Sequence, residues 1–173
     1  MSVDEPLTLD RLYAAIEQRI GEQLPGLETV ATWPDIDGRA PARLPALFLE
    51  LAEIEPGGDD GTGQTTLVCK FEARVVVGAE QPRHNHQAAQ LAAQLAVLLR
   101  AQYWDIEGVD AAEFVQAVQD WTKPELDGYT VWLVEWTQAI KLGEEEWPWA
   151  DQPAVHLDID LGAGAVEVGL VAE

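Results

Sequence analysis

The sequence predicts an α+β fold: an antiparallel sheet of four to five strands with two helices on one face, in the order α-β-β-β-α-β-β, plus a C-terminal arm. Three observations carry this expectation. Residues 65–78 alternate strictly, placing Leu67, Cys69, Phe71, Ala73, Val75 and Val77 on one side and Lys70, Glu72 and Arg74 on the other, the period of a half-buried strand. Residues 86–104, HQAAQLAAQLAVLLRAQYW, form an Ala/Gln/Leu run of helical period. A second pair of β-type runs, 113–121 and 129–141, comes after that helix.

The first helix is expected to open at Thr8, a capping residue with Asp10 in the following turn, and carries Leu9, Leu12, Tyr13, Ile16 and Ile20 at helical spacing. Gly21 or the Pro25-Gly26 pair ends it, and a short β-type stretch covers 28–33. Pro34, Gly38, Pro41 and Pro45 then mark an irregular connection. Residues 46–54 alternate weakly, with Leu47, Leu49 and Leu51 opposite Phe48, Glu50 and Ala52. The stretch PGGDDGTGQ, from Pro56 to Gln64, has no apolar residue and is expected to be a mobile hairpin loop.

Beyond the strongly alternating strand, Pro82 starts a turn into the long helix. Leu91, Leu95, Leu98 and Gln102 lie along one ridge, flanked by Ala88, Ala92 and Leu99, and the alanines permit close approach to the sheet. Gly108 closes the next connection. In the last strand Val131, Leu133 and Glu135 alternate with Trp132, Val134 and Trp136, so both faces are apolar. That pattern predicts either a central position or a face covered by another subunit.

After Lys141 there is no further Lys or Arg. The chain therefore divides into a main domain, 1–142, and an extension, 143–173, made of the acidic linker EEEWPWADQP and two β-like pieces, 154–161 and 165–171, around a Gly-rich turn. The extension is too small to be an independent domain and reads as an arm or added hairpin that pairs with the main body or with a neighbour. The start, MSVDEPLTLD, lacks the basic residues and apolar core of a secretion signal, and no stretch approaches the ~18 apolar residues of a membrane span, so synthesis in the cytoplasm is expected.

The formal net charge is −21, from 31 acidic and 10 basic residues, well beyond the magnitude of about 2 to 8 that solubility asks of a small domain. Such a surface repels phosphate backbones, which argues against nucleic-acid binding. Two sharper readings stand beside a merely acidic surface: the charge could line a passage through which nucleic acid slides without sticking, or mimic DNA and occupy a DNA-binding enzyme.

Candidate chemistry is sparse. Cys69 is the only cysteine, which excludes an intrachain disulfide and a Cys-based zinc site; within an alternating strand it reads as a small buried hydrophobe. His84 and His86, and His156 with Asp158 and Asp160, have the residue types of metal ligands. The first pair, however, sits in a polar turn before a helix, and the aspartates alternate as on a solvated strand face. Ser2 is the only serine, there is no Gly-x-Ser-x-Gly, and GGDDGTG lacks the lysine and following helix of a phosphate loop. No catalytic, cofactor or metal residues are assigned, and the chain is not expected to be an enzyme.

The seven tryptophans, Trp33, Trp104, Trp121, Trp132, Trp136, Trp147 and Trp149, are many for one small core. Large aromatics anchor the places where subunits meet. Trp132 and Trp136 share a strand face, and Trp147 and Trp149 lie in the linker. These four, with Asp59 and Asp60 at the loop tip, are the candidate interface residues.

Laid out in this order, the chain resembles the phage tail terminator proteins, most nearly the Gp37-like proteins of contractile-tailed phages and phage tail-like particles. The likeness rests on IEQRIGEQLPGLETV from Ile16 to Val30, the stretch from Ala40 to Leu51, FEARVVVGA from Phe71 to Ala79, the helix over the sheet, and GYTVWLVEW from Gly128 to Trp136. The resemblance implies a hexameric ring that sits on the tail tube, ends tube and sheath polymerisation, and meets a head connector or collar. It implies self-association, tube and sheath proteins as partners, no catalytic residues or cofactor, and assembly in the bacterial host cytoplasm before residence in a virion tail or a headless particle. An acidic DNA-mimic inhibitor of a DNA-binding enzyme is the alternative.

Overall fold

The computed structural model describes residues 6–33, 43–146, 157–159 and 166–168, the last two groups by their backbone. Helix α1 spans Leu9–Gln23. Thr8 caps it in an extended conformation, its hydroxyl accepting the Arg11 N–H at 3.2 Å. Leu12, Ile16 and Ile20 are fully buried, each contributing about 1.5–3 kcal/mol of burial.

Five strands form the main sheet: β1 (Thr29–Thr32), β2 (Ala46–Pro56), β3 (Thr65–Gly78), β4 (Glu113–Gln119) and β5 (Tyr129–Leu142), in the spatial order β1-β2-β3-β5-β4. The expected element order α-β-β-β-α-β-β holds, with one correction: the sheet is mixed, because β1 runs parallel to β2. A parallel pair needs a crossover of about a dozen residues. The Pro-rich stretch between Thr32 and Ala46 supplies that length, which a hairpin turn would not require.

β3 and β5 pair without interruption from Thr65↔Leu142 to Gly78↔Tyr129 and form the spine of the sheet. Leu67, Cys69, Phe71, Ala73, Val75 and Val77 all face the helix-side core, as their alternation predicts. There Phe71 stacks on Trp136 at 5.3 Å, and Trp104 tilts against the same indole. Burial raises the Cys69 thiol pKa, so this cysteine is held as an unreactive thiol. Tyr13 on α1 accepts the Leu51 N–H at 3.0 Å, tying helix to strand just before the β2 bulge. The same burial raises the Tyr13 pKa.

Helix α2 spans His84–Leu98, two residues earlier at its start and six earlier at its end than the periodicity predicts. Beyond Leu98 the chain turns through Ala101, Trp104 and Asp105, all at positive φ, which no helix accommodates. The cause is Gln138 on β5, 1% exposed. Its side-chain oxygen accepts the Trp104 indole N–H at 2.7 Å, while its nitrogen donates to the carbonyls of Gln102 at 3.0 Å and Asp110 at 2.6 Å. A fully satisfied buried amide outweighs one further helical turn.

Two short strands, β6 (Leu157–Ile159) and β7 (Val166–Val168), pair antiparallel in a separate two-stranded sheet. They fall within the two β-like pieces read from the extension. No helix among the described residues is long and apolar enough to cross a membrane.

Candidate functional site

The sheet face away from the helices is organised by charge. Lys70, Glu72 and Arg74 point away from the core as expected, yet they are not simply solvated. Arg74 is 4% exposed. Its Nε donates to Asp120 at 2.8 Å, Nη1 to Glu50 at 2.8 Å and Nη2 to Glu72 at 2.7 Å. Lys70 meets Glu135 at 2.7 Å, and Lys123 meets Glu50 at 3.2 Å while lying over the Trp33 ring. Burial alone would raise the Asp120 pKa, but bonds from Thr122 and Arg74 outweigh it and hold the carboxyl below its ordinary value. Glu135 is likewise pulled down by Lys70 and Gln116 against the opposing effect of burial. Three cations and four carboxylates thus satisfy one another, locking the turn after β4 onto the sheet.

At one end of the sheet the β2–β3 loop carries Asp59 and Asp60, both exposed. Asp59 accepts the Gly61 N–H at 2.8 Å, and Asp60 accepts the Thr62 hydroxyl at 2.6 Å and pairs with Lys141. The Thr62 carbonyl accepts the Glu146 N–H at 2.9 Å, and Gln64 donates to the Gly143 carbonyl at 3.2 Å. This corrects the expectation of a mobile loop: its polar residues form turns and tie the tip to the end of β5. Gly63 is required there, since its φ is +87° and an added Cβ would lie 2.6 Å from that of Glu146. Glu53, Glu55, Asp59, Asp60 and Glu144 to Glu146 make this end strongly acidic.

The apolar surface lies elsewhere. β4 is an edge strand with a bulge between Phe114 and Gln116. Along it Phe114, Val115 and Val118 are 47%, 52% and 39% exposed, and the following Trp121 is 78% exposed. Trp121, Lys123, Pro124, Leu126 and Tyr129 line an open cavity of about 350 Å³ beside it. Only Ala117 of β4 packs against the helix-side core, which leaves the rest of the strand's apolar side chains uncovered. Natural edge strands are commonly guarded by Lys, Pro or other charges, yet no charged residue stands between Glu113 and Asp120.

Of the sequence-predicted interface residues, Asp59 and Asp60 are placed at an exposed tip. Trp132 is half-buried against the helix-side core. Trp136 is fully buried, which corrects its candidacy: its stacking on Phe71 makes it a core residue of this chain. Trp147 and Trp149 lie outside the described residues, as do His156 and Asp160. Among the described residues, the tip aspartates Asp59 and Asp60 lie apart from Trp132 and Trp136. The sequence placed a strand at 113–121, but no interface role was assigned to it or to Trp121; the signal was the uncharged run FVQAVQ, followed after Asp120 by a tryptophan among polar turn residues.

His84 and His86 open α2 rather than precede it. The His84 Nδ1 lies 2.5 Å from the Thr130 hydroxyl, and His86 is exposed on the same turn. Among the described residues no three His, Cys, Asp or Glu side chains are grouped to hold a metal ion.

No protein-family profile matches the sequence. No curated protein matches it either. Among solved structures, a chain from the virion of a native gene transfer agent particle superposes with a TM-score of 0.50 at 15% identity, over 75% of this chain and 94% of that one. A second solved chain aligns with a TM-score of 0.47 at 16% identity, over 80% of this chain and 99% of that one, too loosely to carry an argument. At 15% identity the first likeness is one of fold: this chain shares its α+β architecture with a chain of a gene transfer agent virion.

Proposed function

We propose that this protein is a structural component of a phage-like tail, a terminator that forms a hexameric ring on the tail tube. The ring ends tube and sheath polymerisation and presents a surface to a head connector or collar. The observation that carries this reading is that 94% of a chain found in a gene transfer agent virion superposes on this protein. The tail-terminator pattern from Ile16 to Trp136 supports the same reading.

The surface suits the role. Subunits of charge −21 repel one another, so a ring needs desolvated apolar contacts. The exposed stretch of β4 from Phe114 to Gln119, free of charge, supplies one such surface. The acidic hairpin end, with Asp59 and Asp60 at its tip, faces the tube or its lumen, where fixed carboxylates let DNA pass without binding. The partners are further copies of this chain, the tube and sheath proteins, and a neck connector where a head is present.

Light scattering on the purified protein, at low and moderate salt and with or without isolated tail tubes, tests the proposal. A mass near six subunits, or a monomer that becomes a ring on tube ends and halts tube growth, is expected. A monomer that leaves tube growth unchanged overturns it, and displacement of DNA from a nuclease by that monomer would establish the DNA-mimic alternative.

A further inference from the structure

The extension contains a ribbon with two unlike faces. In the β6–β7 register Leu157 opposes Val168 and Ile159 opposes Val166, while Asp158 opposes Glu167. By strand alternation Leu157, Ile159, Val166 and Val168 belong to one face of the ribbon, and Asp158 and Glu167, paired in the register, to the other. Like charges across a strand pair destabilise it, and an isolated two-stranded ribbon is marginal in water. A ribbon of three-residue strands needs a larger sheet to complete it.

The main sheet offers a matching vacancy. β4 has no strand partner on its outer side among the described residues, and it exposes Phe114, Val115 and Val118. It also carries no charge from Phe114 to Gln119, and Asp120 beyond it is engaged by Arg74. An acidic ribbon therefore meets no carboxylate from Phe114 to Gln119; Glu113, exposed, stands at the first position of the strand. The fourteen residues of 143–156 span up to about 48 Å when extended, enough to leave one subunit for the next. Within one chain the ribbon and the five-stranded sheet remain separate sheets.

We infer that the β6–β7 ribbon of one copy adds to the free edge of β4 on a second copy, so that each subunit donates a ribbon and accepts one. The contact is heterologous, with donor and acceptor surfaces distinct, which is the kind that closes rings. The inference rests on the ring reading above and names the contact that builds it.

Two full-length variants test it. Val115→Lys with Val118→Lys blocks the acceptor at exposed positions, and Ile159→Pro with Val166→Pro blocks the donor. Circular dichroism first verifies that both are folded. Each variant alone is expected to scatter as a monomer, while an equimolar mixture forms a dimer, because one intact donor and one intact acceptor remain. In a third variant, Val118→Cys with Leu157→Cys, oxidation is expected to link different chains on a non-reducing gel. A donor-blocked protein of unchanged multimeric mass, a mixture that stays monomeric, or a cysteine pair that closes within one chain overturns the exchange. If the donor-blocked protein still forms rings on tail tubes, the exchange fails and the terminator reading stands; if the wild-type protein neither multimerises nor engages tubes, both fail.

Discussion

Arg74 shows what a single buried cation does in a chain dominated by carboxylates. Its three donors reach Asp120, Glu50 and Glu72, which belong to the β4–β5 turn, β2 and β3. Replacing it by Met leaves those acids facing each other without a counter-charge, and a loss of about 3 kcal/mol in urea unfolding is expected. Because Asp120 and Glu135 are held below their ordinary pKa values, their stabilisation is complete above the unfolded-state values of about 4 and is lost as pH falls through the lower folded values. Thermal midpoints are thus expected to be nearly level from pH 8 to 5 and to drop below pH 4. Gln138 is the uncharged counterpart. Leu in its place orphans the Trp104 indole N–H and the Asp110 carbonyl, while the Gln102 carbonyl keeps the Ala112 N–H, and a loss of about 3 kcal/mol is expected, measured the same way. Neither role was legible in the sequence, where Arg74 was one of three polar residues on an outward face and Gln138 one of several glutamines. Partners 46 residues away for Arg74 and 34 for Gln138 leave no local pattern.

The legible elements were those with strong periodicity and one buried face. The alternation of residues 65–78 and the Leu12, Ile16 and Ile20 stripe were read correctly because burial on one side imposes a period of 2.0 or 3.6 on the sequence. The parallel placement of β1 and the early end of α2 were not legible, because strand direction and helix termination are set here by chain routing and by a distant glutamine. Loop chemistry was half legible: the Gly/Asp content gave a turn, but the ties from Thr62 to Glu146 and from Gln64 to Gly143 come from another element. Gly63→Ala tests that anchoring. With φ at +87° and Glu146 in the way, the substitution is expected to cost about 1–2 kcal/mol and to speed amide exchange at Gln64 and Glu146 relative to the β3–β5 ladder.

For the whole molecule, the partition of charge matters more than its total. Of the ten basic residues, Arg19, Lys70, Arg74, Lys123 and Lys141 are engaged in ion pairs within the chain, so the exterior is more one-sided than composition alone conveys. Association between copies is therefore expected to strengthen as salt rises from about 20 to 300 mM, read as an increase in scattering mass, since screening removes repulsion while apolar contact at β4 is retained. The architecture was legible at this scale from the order of elements, whereas the surface through which copies meet was not, because an edge strand is defined by what fails to lie beside it. The placement of β5 has a mechanical meaning as well. This strand lies between β3 and β4 and runs straight into the segment that leaves the sheet after Leu142. Tension drawn along its axis would meet two flanking ladders whose bonds stand perpendicular to the pull, loading them together in shear instead of peeling them one by one.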